Sequence, residues 1–495
     1  MRVLLVYLQL LDNEPMGLMY VGTVLRKAGH LVKITGIDIQ NLQEKVLKEV
    51  YYFKPDVVGL SITTPLANRA QTVARLIKNN FPRIIIIAGG PHPTILQEET
   101  LREGNIDVCV IGEGEVTVED LLKALTWRRS LEEVKGIAFL KDGNLIVTEA
   151  RDYIQDLDSL PFVDRELMPR KVIYGRAGYP LGNPCMLLMT VRGCPYQCSF
   201  CQPAVDKIFG KEVRRRSYRN VVEEIIALKI RYNIHGLWID DDTFLFDKNW
   251  TEGFCDLMIR EKADVLWYAN GRVNNVDKDI LIKMRDAGCA GLVLTPETGS
   301  QRIRNEILNK KVSDEEILRA YQICHEIGLP VQANIMLASP SETDKDLESS
   351  IALIKNIQPH FMNLSYTTAL PSTYLYERYV QEVYTSKYYK NYEDYDIGVF
   401  KKIDTDISDM KLLETHSFFE RRYGNRSFIN RARHFFRYPY FRKILYKRWK
   451  TLIFSRHPKF RHLLFDIVAI IIGSFGYFKN IKLYETDFKT DTIKS

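Results

Sequence analysis

The sequence lacks the marks of several protein classes. Only 8 of its 495 residues are cysteine, too few for a disulfide scaffold of this length. No basic segment followed by an apolar one opens the chain, so we expect no secretory leader. No G-x-G-x-x-G follows the first apolar run, which argues against a nicotinamide-binding domain. We therefore expect a cytoplasmic protein, in which clustered cysteines serve as metal ligands or nucleophiles.

Long apolar runs and low-complexity tracts are also missing. Hydrophobic residues make up 46% of the chain and charged residues 26%, which is typical of globular proteins and excludes a disordered or collagen-like chain. An uncharged, mostly apolar stretch near the C-terminus covers only residues 467–478, whereas a membrane-spanning helix needs about 20 residues. At about 150 residues per domain, the length predicts roughly three domains.

Acidic residues are absent from one long segment. Residues 421–462 hold 14 Lys or Arg and no Asp or Glu, interleaved with aromatics. Because the whole chain carries +7, the remainder is mildly acidic, and nucleic acid is not the expected partner. The segment predicts peripheral contact with an anionic membrane surface, at the inner face of the membrane. The alternatives are a structural extension that packs on the preceding domain, or a patch for nucleic acid.

The N-terminal part alternates strands and helices. Strands are predicted at residues 3–7, 32–35, 57–62, 84–88 and 108–111, and helices at 17–28, 66–78 and 116–125. Continuous apolar strands that alternate with helices indicate a parallel sheet covered on both faces. We therefore predict a doubly wound, Rossmann-like α/β domain over residues 1–130.

A second α/β domain follows a connector. Residues 131–185 form a predicted linker with a small hairpin around Asp142 and Gly143. Six further strands are predicted at residues 187–191, 236–240, 265–269, 291–295, 331–338 and 360–365, with helices at 221–231, 278–287, 314–327 and 344–357. This repetition predicts a partial (β/α)6 barrel over residues 186–375. Residues 376–495 are predicted to form a mostly helical, basic C-terminal extension.

Three cysteines cluster near the start of the predicted barrel. Cys194, Cys198 and Cys201 are spaced C-x3-C-x2-C. A structural zinc site would require a fourth ligand, and neither Cys nor His follows at the usual spacing. Three thiolates on a loop suit a [4Fe–4S] cluster with one iron left open. Zinc and a ferredoxin-like cluster remain the alternatives.

This loop resembles the signature of the radical S-adenosylmethionine (radical SAM) family, with Phe200 at its aromatic position. The resemblance implies that the open iron binds S-adenosylmethionine and that its reductive cleavage yields a 5′-deoxyadenosyl radical. It also implies cofactor contacts by Glu297, in a segment similar to G-x-E-x-G-S, by Arg272, and by one of the carboxylates around Asp241. The alternatives are an exposed loop Glu, a surface ion pair and a strand-end carboxylate.

Three loops of the N-terminal domain follow predicted strands at the edge where open α/β sheets bind ligands. Together with the P-M-G-L start and the G-G-P-H-P-T run, they resemble the cobalamin-binding domain that precedes many radical SAM domains. The D-x-H-x-x-G cobalt-ligating motif is absent, so His92 is expected to line the corrin pocket rather than bind cobalt. The alternative is a domain that has lost its ligand. The residues that this resemblance implies are Ser61, Thr63, Gly89, Gly90, His92, Thr94, Gly112 and Gly114.

The two resemblances together predict a cobalamin-dependent radical SAM enzyme. The commonest chemistry in such enzymes is methyl transfer to an unactivated carbon, here expected to be that of a hydrophobic small molecule such as a lipid. The alternatives are ring formation or oxidation, as in the anaerobic magnesium-protoporphyrin ester cyclases, and a cofactor-binding sensor without turnover. An external electron donor of flavodoxin or ferredoxin type is expected.

Overall fold

Two sheets organise the part of the chain that the computed structural model describes, which is residues 1–9, 14–38, 42–168, 181, 184–379, 405, 407 and 409–423. The first sheet has seven strands in the order β2-β1-β3-β4-β5-β6-β7. Its first five strands are parallel. Their bounds are β1 (Arg2–Gln9), β2 (Leu31–Asp38), β3 (Val57–Ser61), β4 (Ile85–Gly89), β5 (Val108–Val110), β6 (Ile137–Lys141) and β7 (Asn144–Val147).

Helices cover both faces of this sheet. They are α1 (Met16–Lys27), α2 (Leu42–Phe53), α3 (Ala67–Asn80), α4 (Pro91–Ile95), α5 (Gln97–Leu101) and α6 (Gly114–Trp127). One apolar core packs α2 and α3 against the sheet, and a second packs α1 and α6 against the other face. The doubly wound fold predicted from the alternating pattern is confirmed, and its ligand edge lies at the carboxyl ends of the strands.

The hairpin predicted in the connector belongs to the first sheet. β6 pairs antiparallel with β5, and β7 pairs antiparallel with β6. Val108 of β5 lies opposite Phe139, and both side chains are buried in the core on the α1 and α6 side. The hairpin therefore extends this domain beyond the boundary expected at residue 130.

The second sheet has six parallel strands in the order β15-β14-β13-β12-β11-β8. The strands of this region are β8 (Cys185–Leu188), β9 (Val191–Arg192), β10 (Arg214–Arg215), β11 (Gly236–Ile239), β12 (Leu266–Gly271), β13 (Cys289–Glu297), β14 (Val331–Leu337) and β15 (Phe361–Tyr366). β9 and β10 form a separate antiparallel pair. The six-stranded sheet is the predicted partial barrel.

Helices pack on the outer face of this sheet and bury the main apolar core. They are α8 (Tyr218–Tyr232), α9 (Lys248–Arg260), α10 (Lys278–Asp286), α11 (Asp314–Ile327), α12 (Asp344–Ile357) and α14 (Asp409–Tyr423), whereas the short helices α7 (Ala204–Phe209) and α13 (Tyr374–Tyr379) lie outside this core. α11 begins at a capping box, in which the Ser313 side chain and Glu316 satisfy each other's backbone N–H groups, an arrangement that typically contributes about 1 kcal/mol.

The basic segment 421–462 and the apolar stretch 467–478 lie outside the described residues, apart from the end of α14. Their predicted membrane contact therefore stays a prediction. Within the described ranges, no helix combines the length and the apolar character needed to cross a membrane.

Candidate active site

The three clustered cysteines lie in a loop that an antiparallel pair of short strands closes. This cluster loop, residues 193–213, runs from β9 to β10. Gly193 opens it with φ of +90°, and a Cβ atom there would lie 2.4 Å from the carbonyl oxygen of Glu212. Only glycine fits both the positive φ and this close backbone approach.

Two neighbouring segments anchor the cluster loop. The backbone N–H of Ser199 donates to the carbonyl of Leu308 at 2.9 Å, and its hydroxyl donates to the carbonyl of Ile307 at 2.5 Å. The N–H of Leu375, in α13, donates to the carbonyl of Ser199 at 2.9 Å. The side chain of Phe200 packs against the same apolar cluster, which includes Leu308 and Leu375. These contacts hold the cluster loop against the neighbouring segments, and the predicted cofactor contact of Phe200 stays a prediction.

The three cysteines of the cluster loop form no disulfide and are enclosed to different degrees. Cys198 is buried, and Cys194 and Cys201 are partly exposed. Burial raises the pKa of Cys194 to about 11 and that of Cys201 well above the usual thiol value, so iron binding would release protons. No three His, Cys, Asp or Glu side chains within the described residues are placed to hold a metal ion. Thiolates of a four-iron cluster each bind a different iron, so they need not converge on one point.

A guanidinium group lies against these thiols. Arg272, just after β12, donates from Nη1 to Sγ of Cys198 at 3.6 Å and lies 4.0 Å above the ring of Tyr196. Asn275 holds the Tyr196 hydroxyl at 2.8 Å. The Nε atom of Arg272 is buried without a hydrogen-bond partner, which leaves a donor for an anionic group in the site. The structure therefore brings Arg272 to the cluster loop as predicted, whereas Tyr196 and Asn275 were not predicted.

Glu297 ends β13 beside the cluster loop in a strained position. Its φ is +67° and its side chain is buried. The ammonium of Lys310 donates to Glu297 Oε1 at 2.5 Å and to the hydroxyl of Thr295 at 2.7 Å. The charge of Glu297 also raises the pKa of the Cys201 thiol, and the charge of Lys310 lowers it. Sequence reasoning missed Lys310, since 13 residues separate it from its partner and no spacing rule links them.

Asp241 supports the start of the cluster loop. It is 1% exposed, and its Oδ1 accepts from the backbone N–H groups of Thr190 at 2.7 Å and Val191 at 3.1 Å. Burial raises the pKa of Asp241 to about 6, although these hydrogen bonds and the charge of Arg215 oppose the shift. These contacts give Asp241 a positioning role, and its predicted cofactor contact remains untested. Its neighbour Asp242 is the exposed carboxylate of the pair.

The loops after β3 and β4 meet at the carboxyl edge of the first sheet. Gly90 has φ of +102°, and a Cβ there would lie 3.0 Å from the carbonyl oxygen of Ile62. That same carbonyl accepts from the N–H of His92 at 3.1 Å. Burial lowers the pKa of His92 to about 4, so the ring is neutral at physiological pH. Thr63 is exposed at this edge, where a ligand can reach it.

The loop after β5 is shared between the two domains. The hydroxyl of Thr94 accepts from the N–H of Gly112 at 3.0 Å, which joins the loops after β4 and β5. α4 contacts α7, the helix that follows the cluster cysteines. A Cβ at Gly114 would lie 3.1 Å from the side chain of Val21, so this glycine permits close packing of α6 on α1. The predicted corrin contacts of the loop are therefore near the cluster loop, but Gly114 has a packing function.

Buried ion pairs that the sequence did not predict cross between the domains. Glu113 and Glu115, at the start of α6, lie 2.8 Å and 2.5 Å from the guanidinium of Arg192. Arg214 lies 3.0 Å from Glu113. All four side chains are 4–5% exposed. The two strands that close the cluster loop are thereby attached to the N-terminal domain.

A further interdomain contact lies at β8, the first strand of the barrel. Glu14 accepts from the guanidinium of Arg165 and from the N–H of Leu187, each at 2.5 Å. Met16 packs against apolar residues on the inner side of the barrel sheet, among them Trp238. The beginning of α1 thus fits against the barrel, a contact that was not predicted for the P-M-G-L start.

The comparisons with known families agree with this two-domain arrangement. The family model of the B12 binding domain matches residues 5–122. The family model of the radical SAM superfamily matches residues 188–354, a range that contains the cluster loop and four of the six parallel strands of the barrel, β11 to β14.

Two curated relatives span most of the chain. Over 366 residues it is 30% identical to an uncharacterized methyltransferase from Pyrococcus horikoshii, a match that covers 74% of this chain and 78% of that protein. Over 428 residues it is 28% identical to the anaerobic magnesium-protoporphyrin IX monomethyl ester cyclase of Rubrivivax gelatinosus, covering 84% of this chain and 73% of that protein.

A solved structure has the same fold. It is the radical S-adenosylmethionine methyltransferase TsrM from Kitasatospora setae, with cobalamin and a [4Fe–4S] cluster bound. The TM-score is 0.63, and the match covers 76% of this chain and 73% of that chain at 15% identity. At this identity the likeness bears on the fold alone.

Proposed function

The chain belongs to the radical SAM proteins that carry a B12-binding domain, and we propose that it is a cobalamin-dependent methyltransferase of this family. The observation that carries the proposal is the meeting of two sites. The loops at the carboxyl edge of the first sheet lie against the helix that follows the cluster cysteines. A corrin held at that edge would therefore face the barrel mouth.

Each cofactor has residues in the chain that fit it. Cys194, Cys198 and Cys201 would hold a [4Fe–4S] cluster, and the unpartnered Nε of Arg272 suits the carboxylate of S-adenosylmethionine. Glu297 would bind the ribose hydroxyls after exchanging its contact with Lys310. When bound, these groups supply a carbon-centred radical, and methylcobalamin supplies the methyl group. The chain's own contribution is to hold the cofactors in place and to exclude water.

The inner wall of the barrel supports a substrate that carries a hydrogen-bonding group. Asn334 of β14 and Asn363 of β15 are paired in register, and neither belongs to the apolar core beneath the helices. Because side chains alternate along a strand, both lie on the concave face. Gln332 donates to Asn334 at 2.9 Å, and Asn363 is exposed. The hydrophobic substrate inferred from the basic segment would thus present a polar group here.

Oxidative ring formation is the second candidate. The match to the cyclase covers more of this chain than the match to the methyltransferase, and both chemistries would use the same cluster loop. We also infer an external donor of flavodoxin or ferredoxin type, because the cluster needs an electron from outside the chain, and peripheral membrane contact through the basic segment.

Anaerobic reconstitution tests the proposal. The chain is supplied with iron, sulfide and hydroxocobalamin, then incubated with S-adenosylmethionine and a strong reductant. Bound cobalamin together with 5′-deoxyadenosine and S-adenosylhomocysteine supports methyl transfer. Deoxyadenosine without S-adenosylhomocysteine favours the cyclase chemistry. The assay is repeated with cell extract added as a source of substrate, and with the Cys201→Ala variant as a control. If the wild type binds cobalamin and iron but forms no more of either product than this control, the result favours the sensor.

A further inference from the structure

Four buried charges join the two cofactor domains at one point. Arg192 of β9 lies two residues before Cys194, and its two terminal nitrogens contact Glu113 at 2.8 Å and Glu115 at 2.5 Å. Arg214 of β10 contacts Glu113 at 3.0 Å. The two carboxylates and two guanidinium groups balance in charge, and each is 4–5% exposed. Charges this buried keep their partners, since an unpaired one is costly.

The carboxylates belong to the loop that also approaches the corrin edge. Glu113 immediately follows Gly112, whose N–H donates to Thr94 at 3.0 Å. Glu113 is the N-cap of α6, and Glu115 lies in its first turn, where the helix dipole favours negative charge. The backbone of this loop therefore contacts the loop after β4, and its side chains contact the two strands that close the cluster loop.

The guanidinium groups in turn are held from several sides. Arg214 also donates to the carbonyl groups of Ile154 and Phe209, each at 2.6 Å. Arg192 lies 5.4 Å from the ring of Tyr20 in α1. The Arg192 guanidinium uses two nitrogens on two different carboxylates, and because the group is planar these contacts fix its direction as well as its distance. The two closing strands of the cluster loop thus have little freedom to move relative to α6.

We propose that Arg192, through Glu113 and Glu115, is a positioning residue that fixes the spacing between the corrin loops and the cluster loop. This inference rests on the proposed function, because the spacing matters only if both cofactors bind. Group transfer between two bound cofactors and a substrate is sensitive to displacements of about 1 Å, which cost up to about 100-fold in rate. A rigid ionic connection beside Cys194 would keep that geometry.

The distance between the two cofactors can be measured without a substrate. The reconstituted full chain is reduced so that cob(II)alamin and the cluster are both paramagnetic, and pulsed EPR then measures their dipolar coupling. We expect a narrow distance distribution in the wild type, a broader and shifted one in Arg192→Gln, and partial recovery in Arg192→Lys. Glu224→Gln is the matched control, since Glu224 forms a buried pair with Arg216 inside the barrel domain.

The outcomes separate the inference from the proposed function. Wild type that binds no cobalamin overturns the proposed function. Wild type and Arg192→Gln with the same distribution, both fully loaded, overturn the inference and leave the proposed function standing. Equal broadening in Glu224→Gln also overturns it, because the effect would then be general loosening. If Arg192→Gln fails to load, Glu115→Gln replaces it, since that change removes one contact and keeps the pairing with Glu113.

Hydrogen exchange of the cofactor-free chain gives a second measurement. The inference is supported if the Glu115→Gln variant exchanges faster than wild type in residues 112–116 and in residues 193–202. The Glu224→Gln variant should show no such increase. Unchanged exchange in the two segments contradicts it.

Discussion

Replacing Asp241 by asparagine should remove a pH dependence of stability that originates at the start of the cluster loop. The Asp241 side chain is 1% exposed and burial raises its pKa from 3.8 to about 6. The folded chain therefore binds a proton at Asp241 more tightly than the unfolded chain. Because the folded state holds more protons between pH 3.8 and about 6, stability falls as the pH rises through this window.

The size of the effect follows from the shift. A change of about two pKa units corresponds to about 3 kcal/mol, and the side chain is too buried for solvent screening to reduce it much. Asparagine does not titrate, yet its Oδ1 can still accept from the N–H groups of Thr190 and Val191. Its amide can donate to the Thr190 hydroxyl, which now donates to Oδ2 of Asp241. We therefore expect the variant to gain about 3 kcal/mol relative to wild type between about pH 4 and about pH 7.

Urea unfolding of the cofactor-free chains at several pH values in this window measures the difference. Asp277→Asn is a control of opposite sign, because a hydrogen bond from Lys248 lowers the pKa of Asp277. Its charged form adds stability that is lost only as the pH falls below 3.8, so this variant should be less stable than wild type by the same amount throughout the window. Parallel pH profiles for wild type and Asp241→Asn would refute the assignment of the proton to Asp241.

Three further changes have defined outcomes. Gly193→Ala should lower the iron content after reconstitution, because its Cβ would meet a backbone carbonyl at 2.4 Å; Gly29→Ala, with φ of +88° but open space around it, should not. Lys310→Met should cost about 3–5 kcal/mol in urea unfolding by leaving Glu297 buried and unpaired, and adding Glu297→Gln should restore most of it. Cobalamin affinity, titrated by absorbance, should be flat between about pH 5.5 and about pH 8, because His92 is neutral there; a step near the usual histidine pKa would contradict this.

The fold could be predicted from sequence where local signals agree with burial. Continuous apolar runs predicted the parallel strands, and α11 and α12 were predicted with the bounds that the structure has, since a capping residue opens each helix. α2 was missed because only two of its residues, Val46 and Val50, are buried, and two apolar positions are too few to give a clear helical spacing. α4 was missed because a glycine–proline run predicts a turn. α9 was also missed, although Trp250, Phe254 and Leu257 give a helical spacing that could have predicted it.

The site was less predictable than the fold because its partners are far apart in sequence. Local motifs identified the cluster cysteines, Glu297 and Arg272. No motif or spacing in the sequence predicts that Lys310 lies beside Glu297, or that Tyr196 lies beneath Arg272. These contacts exist only because a helix and its loop return the chain to the same edge of the barrel.

The acidic loop after β5 illustrates how one motif can serve two purposes. In sequence, the run from Gly112 to Glu115 indicates a ligand loop, since glycines let a backbone approach a flat molecule. In the structure the backbone of the glycine contacts the N-terminal domain, whereas the carboxylate side chains contact the barrel domain. Gly112 binds Thr94 at the corrin edge, whereas Glu113 and Glu115 bind Arg192 beside the cluster loop. A substitution of either carboxylate should therefore disturb the geometry between cofactors before it disturbs the binding of either one.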